Sequence, residues 1–235
     1  EALGRPPDEV YHLDNGERGV GPRTRGKQPR DLPWDNPPDN DEEEDYLKHR
    51  FSRYLPKEEM PGLRVSEYGS ITVPGSSYHL RRMIYPLQHA TRLDEIDGFP
   101  WPDIREAWRW EGLAAQAEEY LSQGYWVRGA VGSLFETSWY LRGQEQLLMD
   151  TYTNPEFCAH LLDRMAQDLE YKAVRLAKMG VDVLGCGDDM GHERQLFMRP
   201  ELLRKWILSR WERIISAAKA IKPDIVYCSI SGFGQ

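Results

Sequence analysis

The run "VDVLGCGDDMGH" at residues 181–192 decides how the chain folds. A short apolar stretch stops at Gly-Cys-Gly, and two adjacent aspartates come next. On its N-terminal side a long helical pattern begins at "TNPEF" (153–157), where Asn154 can cap and Pro155 takes the first helical position. That helix runs to about Lys178, and Gly180 closes it. On the C-terminal side Pro200 opens a second long helix, to about Ile221, and "DIVYCSI" (224–230) comes after it as a strand. Further upstream, "YWVRGAV" (125–131) is another buried-type strand, and residues 137–151 form a helix. Apolar strands alternating with helices are the pattern of a parallel sheet covered by helices.

Two parallel architectures compete, an open doubly wound sheet and a (β/α)8 TIM barrel. The glycine-rich dinucleotide turn of the open sheet is missing. The barrel is therefore expected, and about three clear βα units make it incomplete in this chain. Residues 63–85 predict a β-hairpin with "PGSS" (74–77) as its turn. Residues 103–122 predict a helix with Ile104, Ala107, Trp108, Leu113, Ala117 and Leu121 on its apolar side. Residues 22–45, rich in Pro and charge, predict an extended arm, with the acidic run 39–45 as a solvated face. Residues 1–21 predict a short helical or irregular segment. The expected division is an irregular arm and acidic linker over 1–62 and a partial barrel over 63–235.

The bulk numbers narrow the function classes. The 235 residues are 40% hydrophobic, enough for a core, and carry a net charge of −8. With a pI near 5.4, the chain lacks the clustered Lys and Arg that nucleic-acid phosphates require. No run of about 18 apolar residues marks a membrane span, and no signal peptide is visible. Cys158, Cys186 and Cys228 lie far apart with no CxxC pair, so the cytoplasm is the expected compartment. The chain opens on Glu1 and ends on "SGFGQ", which points to a piece of a longer protein.

The motifs "GFPWPD" (98–103), "GAVGSLFE" (129–136), "WYLRG" (139–143), "GCGDDMG" (185–191) and "RPELLRKWILSRWERIISAAKAIKPD" (199–224) succeed one another in an order that resembles the uroporphyrinogen decarboxylase superfamily. The likeness covers about residues 63–224. It implies a (β/α)8 barrel with its site in the mouth. It also implies one of two activities, corrinoid-dependent methyl transfer or cofactor-free porphyrinogen decarboxylation. The Arg-rich decarboxylase segment is only echoed, in "HRFSRYLP" (49–56), and this tilts the expectation toward methyl transfer. Zinc-binding methyltransferase members use a His-x-Cys pair, whereas the strand where it would begin reads "VYCSISGFGQ" and holds no His. That same tail, 222–235, resembles a segment of class III CoA-transferases. The superfamily likeness implies a tetrapyrrole or methyl donor as substrate, or a corrinoid protein as partner, with corrinoid or zinc as cofactor if methyl transfer holds. A homodimer is also compatible with the chain, as is a non-catalytic role in docking.

In a barrel, side chains at the C-terminal ends of strands converge on one mouth. Asp188, Asp189 and Glu136 are the candidate catalytic residues. Two adjacent aspartates do not easily share one pocket, so one is expected to face the mouth and the other to hold backbone. A mouth carboxylate can stabilise positive charge on a leaving group or exchange a proton with it. The glycines of "GAVGS" would let backbone approach a ligand closely. Arg142 could grip a substrate carboxylate with its bidentate fork. Arg128 is a charge inside a strand, which is costly unless paired or aimed into a wet lumen. Tyr140 and Trp139 could stack on a flat ligand. His192 joins the set as a loop side chain six residues after Cys186, a pairing too sparse to define a metal site. Arg81 and Arg82 could meet an anion from the hairpin.

Overall fold

The computed structural model describes residues 17–24, 41–74, 82–192 and 194–229. Strand β1 (Glu17–Val20) is followed by helix α1 (Asp41–Arg50) and three short strands, β2 (Arg64–Val65), β3 (Ile71–Val73) and β4 (Arg82–Ile84). Helices α2 (Leu93–Asp97) and α3 (Leu113–Ser122) lead to β5 (Trp126–Gly132), then α4 (Phe135–Arg142), α5 (Gln144–Thr153) and α6 (Pro155–Lys178). The chain continues through β6 (Val183–Cys186), the small hairpin β7 (Gly191–His192) and β8 (Gln195–Leu196), and α7 (Pro200–Leu203). A π turn (Arg204–Leu208) joins α7 to α8 (Ser209–Lys219), and β9 (Val226–Ser229) comes last.

The main sheet has four parallel strands in the order β1-β5-β6-β9, with no reversal of direction along the sheet. Its helices lie on one side. Val127 and Val131 are buried there, and a Cβ at Gly129 would run into Leu176 of α6. The opposite face, carrying Trp126, Arg128 and Ala130 of β5, is largely open among the described residues. Trp126 is 60% exposed and Val226 of β9 49%. A doubly wound sheet would have helices there, so this sheet is singly wound. Its four strands do not close on themselves. The mixed α/β class with a parallel helix-covered sheet stands; a complete TIM barrel is not seen among the described residues.

Several elements differ from the expectations. Residues 17–20 form strand rather than helix or irregular chain, and they supply the edge of the main sheet. The acidic run initiates α1, whose Leu47 and the following Phe51 are fully buried. Acidic residues belong in a first turn, where the helix dipole is positive, so the run read as a solvated arm is also a helix start. The helix expected over 137–151 is two, because Gly143 takes φ +87 between them, a backbone state that side-chain-bearing residues resist. The helix expected over 103–122 begins only at Leu113, after a 3₁₀ turn at Ala107–Arg109. By contrast, α6 lies where the sequence placed it, and the Asn154 side chain accepts from the Phe157 N–H. The hairpin strands exist as β3 and β4, paired antiparallel. The predicted "PGSS" turn lies mostly outside the described residues, as do Arg81, residues 230–235 of the CoA-transferase-like tail and most of the 22–45 arm.

Helix α6 holds the molecule together. Phe157, Leu161, Met165, Leu169, Ala173 and Leu176 are buried along one stripe, each of the larger ones contributing roughly 1.5–3 kcal/mol of burial free energy. A second stripe of α6 meets the N-terminal region through charge and aromatic rings. Arg164 pairs with Asp168 at 2.8 Å, and Asp168 accepts from the Tyr68 hydroxyl at 3.3 Å. The Lys172 ammonium lies over the Tyr68 ring at 5.0 Å. Next to Tyr68, Glu67 takes both arms of Arg109, at 3.0 and 2.5 Å. Glu67, Arg109, Asp168 and Lys172 are all buried.

Candidate functional site

The C-terminal ends of β5 and β6 bring Glu136, Tyr140, Asp188 and Asp189 together. The register of the two strands shifts between Ala130 and Gly132. Such a bulge bends the strand and re-aims the residues after it; here it leads through Ser133 into α4. The two aspartates then part company. Asp188 is 2% exposed. Its Oδ1 accepts the Glu136 N–H at 3.0 Å, and its Oδ2 accepts the Leu134 N–H at 3.1 Å and the Trp211 indole N–H at 2.8 Å. It therefore caps α4 from the neighbouring strand and ties that helix to α8. Burial pushes its carboxyl up to about 6, while the N–H donors from residues 134–136 and Trp211 pull the other way. Asp189 is exposed at the rim.

Glu136 is half-buried in the first turn of α4. It accepts a hydrogen bond from the Tyr140 hydroxyl, one helical turn on. Burial raises the Tyr140 phenol far above its ordinary range, and the Glu136 hydrogen bond and the Glu136 and Asp189 charges push it further. Tyr140 is thus a permanent phenol donor at neutral pH. Tyr85 borders the same group, with its ring beside Gly143, in van der Waals reach of where a Cβ there would be. Trp139 stands edge-on to Tyr140, with ring centroids 4.2 Å apart. Among the described residues neither Glu136 nor Asp189 forms an ion pair.

The remaining candidates lie elsewhere. Arg142 is buried beneath α4, with Nε on Asp150 at 2.7 Å and its other nitrogens on Asp150 and the carbonyls of Leu87, Gln88 and Ala90. Its guanidinium is held by Asp150 and three carbonyls of the fold and is buried, so it does not reach the rim with the carboxylates. Arg128 is on the open sheet face, stretched across the neighbouring strand where Gly185 leaves room. His192 is exposed on β7, accepts from the Arg194 N–H at 3.4 Å, and faces Phe197 with centroids 6.1 Å apart. Cys186, at the end of β6, is buried. Among the described residues no three His, Cys, Asp or Glu side chains assemble into a metal-binding group. Arg82 is exposed and donates to the Met60 sulfur.

Sequence reasoning missed Tyr85 and Trp211. Nothing local marks Tyr85, which reaches the rim only because the hairpin packs on α4. Trp211 carried a usable signal, a buried indole whose N–H needs an acceptor, but its acceptor is 23 residues away.

No family model matches the chain, and no curated protein matches it. Among solved structures, a methyltransferase from Methanosarcina mazei resembles it with a TM-score of 0.50 at 14% identity, over 81% of this chain. The chain spans about half the length of that protein, 54%. No helix among the described residues is long and apolar enough to cross a membrane.

Proposed function

We propose that the chain is the substrate-positioning part of a methyl-transferring (β/α) barrel enzyme of the uroporphyrinogen decarboxylase kind, with Glu136, Tyr140 and Asp189 at its working edge. The observation that carries this is the carboxylate pair beyond the ends of adjacent parallel strands, Glu136 held by the Tyr140 hydroxyl and Asp189 close enough for its charge to act on the same phenol, without a cationic partner among the described residues. Unpaired carboxylates in a cleft are available to a ligand, whereas paired ones are consumed by the fold. The fold likeness to a methyltransferase supports the choice of chemistry.

In methyl transfer the methyl carbon forms a bond to the acceptor as its bond to the donor heteroatom breaks. The electron pair of the broken bond leaves with the heteroatom, which then needs a proton. Asp189, at the solvent edge, relays that proton from water. Glu136, fixed by the Tyr140 hydroxyl and by its own N–H on Asp188, orients the donor and stabilises positive charge on it. A reduced corrinoid carried by a partner protein would supply a cobalt-centred nucleophile for the methyl carbon and would enter as co-substrate. No zinc step is assigned to the described residues.

The test is incubation with reduced cobalamin and a panel of methylated amines, thiols and ethers, following the cobalt spectrum. Conversion to methylcobalamin that Glu136→Gln and Asp189→Asn each slow by about 10²-fold or more supports the reading. Formation of coproporphyrinogen from uroporphyrinogen would replace it with decarboxylation. Retention of full activity in both variants would remove Glu136 and Asp189 from the chemistry, and no conversion by the unaltered chain would leave only a docking role.

A further inference from the structure

We infer that Asp188 and Trp211 are the positioning residues of the rim, and that one proton on Asp188 releases the backbone of Glu136. The inference deepens the reading of the rim given above: it rests on Glu136 as the working carboxylate, and not on methyl transfer. It starts from a missing cap. Helix α4 begins without a side-chain cap of its own, since its N-cap residue is Leu134. Ser133, one position too early, is turned to the Thr137 hydroxyl at 2.9 Å. A helix start leaves N–H groups without helical acceptors. Here Asp188 supplies the oxygens, from just beyond β6 and 52 residues along the chain from Glu136. Asp188 is in turn fixed by Trp211 of α8, whose indole N–H donates to Oδ2 at 2.8 Å. Phe135 and Leu141, both buried, keep the body of α4 in place.

The donors are shared unevenly between the two oxygens. Oδ2 accepts from Leu134 and Trp211, and Oδ1 accepts from Glu136 alone. A protonated carboxyl group carries its hydrogen on one oxygen, which then meets a facing N–H donor to donor. On Oδ2 the proton would displace two hydrogen bonds, and on Oδ1 it displaces one. The proton therefore settles on Oδ1, and the group that loses its acceptor is the Glu136 N–H. The Glu136 carboxylate is then left on the Tyr140 hydroxyl. The charged groups nearby do not compete for this role. Glu136 on α4 and Asp189 in the loop are negative and favour a proton on Asp188, in the same sense as its burial. On α8, Arg210 and Arg213 are turned to Asp163 and Glu170 of α6. On α6, Asp168 and Lys172 face Tyr68 at the N-terminal region. The Cys186 thiol of β6 is buried.

The experiment is an NMR pH titration of the isotope-labelled chain, with hydrogen exchange of the same groups corrected for its intrinsic pH dependence. The Leu134 and Glu136 amides and the Trp211 indole should titrate with one midpoint, at about pH 6, and Glu136 should move most. Protection of the Glu136 amide should fall by about 10-fold or more below that midpoint, and protection of Leu134 should fall less. Trp211→Phe removes one donor from the ionised form, so it should raise the midpoint read at Glu136 by about one pH unit. Asp188→Asn should leave the Glu136 amide exchanging fast at every pH. Should the variants fail to fold, the unaltered chain still decides, because a shared midpoint needs no substitution. Separate midpoints, a Glu136 amide silent throughout, or a larger loss at Leu134 than at Glu136 overturns the inference. So does a folded Trp211→Phe chain with its midpoint unmoved. Where methyl transfer is seen, its rate should fall below the same midpoint, and Trp211→Phe should carry that acid limb upward; an unmoved limb overturns the positioning role. A rim that titrates as expected in a chain that methylates no cobalamin keeps the positioning and removes the methyl-transfer reading.

Discussion

The seam between α6 and the N-terminal region, and the rim at the ends of β5 and β6, are both rich in charge and aromatic rings, and they use them in opposite ways. At the seam each carboxylate meets a cation: Glu67 has Arg109, and Asp168 has Arg164. At the rim Glu136 and Asp189 meet none among the described residues, and a tyrosine stands where an arginine could have been. Burial explains the seam, because a charge removed from water must be paired or it becomes neutral. Burial does not explain the rim, where Asp189 is in water. The lesson is that charge density alone does not locate a site, and its pairing does.

The largest effect that would break this contrast is at Arg109. Arg109→Met leaves Glu67 buried without its partner, at a cost of about 3–5 kcal/mol, read as a lowered midpoint in urea. Adding Glu67→Leu should recover much of that loss, since two apolar groups can replace a buried pair. A single substitution that costs under ~1 kcal/mol would mean that the seam is as loosely held as an exposed pair.

Lys172 sharpens the seam further. Burial holds its ammonium down to about 8, against the pull of Asp168 and Glu67. The unfolded chain binds that proton up to about pH 10.4, so between about pH 8 and 10 the unfolded state carries more protons than the folded one. Stability should therefore rise across that window, by on the order of 2–3 kcal/mol. Tyr68 titrates well above its ordinary value, held there first by burial; the unfolded chain releases that proton first, near pH 10, so Tyr68 opposes the rise only at the upper end of the window. Lys172→Met should flatten the rise without lowering the melting temperature at pH 7. A wild-type curve flat from pH 8 to 10 would refute it.

Asp188 lies between the two regions, in the rim by sequence and in the core by contact. Asp188→Asn sets an amide N–H₂ against one of the three donors, which costs about 1–3 kcal/mol. The pH dependence has its own sign. With the folded carboxyl raised to about 6, the folded state keeps a proton that the unfolded state releases near pH 4, so stability falls as pH rises from about 4 to 6. That decline should vanish in Asp188→Asn, and chemical denaturation at pH 4 and 6.5 compares the two.

How much of this the sequence carried depends on range. Helix α6 was legible to the residue, because its apolar period and its Asn-Pro start are local. Strands β5, β6 and β9 were legible as apolar runs between helices. Strand β1 was not, since "ERGV" has no apolar period and becomes strand only by pairing with Trp126–Gly129. The candidate site divides the same way. The "GDD" loop could be placed at a strand end, but which aspartate turns inward depends on the N–H groups of residues 134 and 136 and on Trp211, all far along the chain. Arg142 read as a substrate-gripping arginine for the same reason: the carbonyls of Leu87, Gln88 and Ala90 that surround it belong to another part of the sequence.

The smallest expected effect is the one that bears most on function. Glu136→Gln keeps the shape of the side chain, and its amide oxygen still accepts from Tyr140, while Asp189→Asn changes an exposed side chain. Each should alter stability by less than about 0.5 kcal/mol, the usual range for surface substitutions away from packed features. If either variant is clearly destabilised, its carboxylate belongs with those of the seam, as part of the fold. If either is more stable than wild type, like charge at the rim was being held against repulsion. A rim kept unpaired at a cost in stability is what a binding surface requires and a structural one does not.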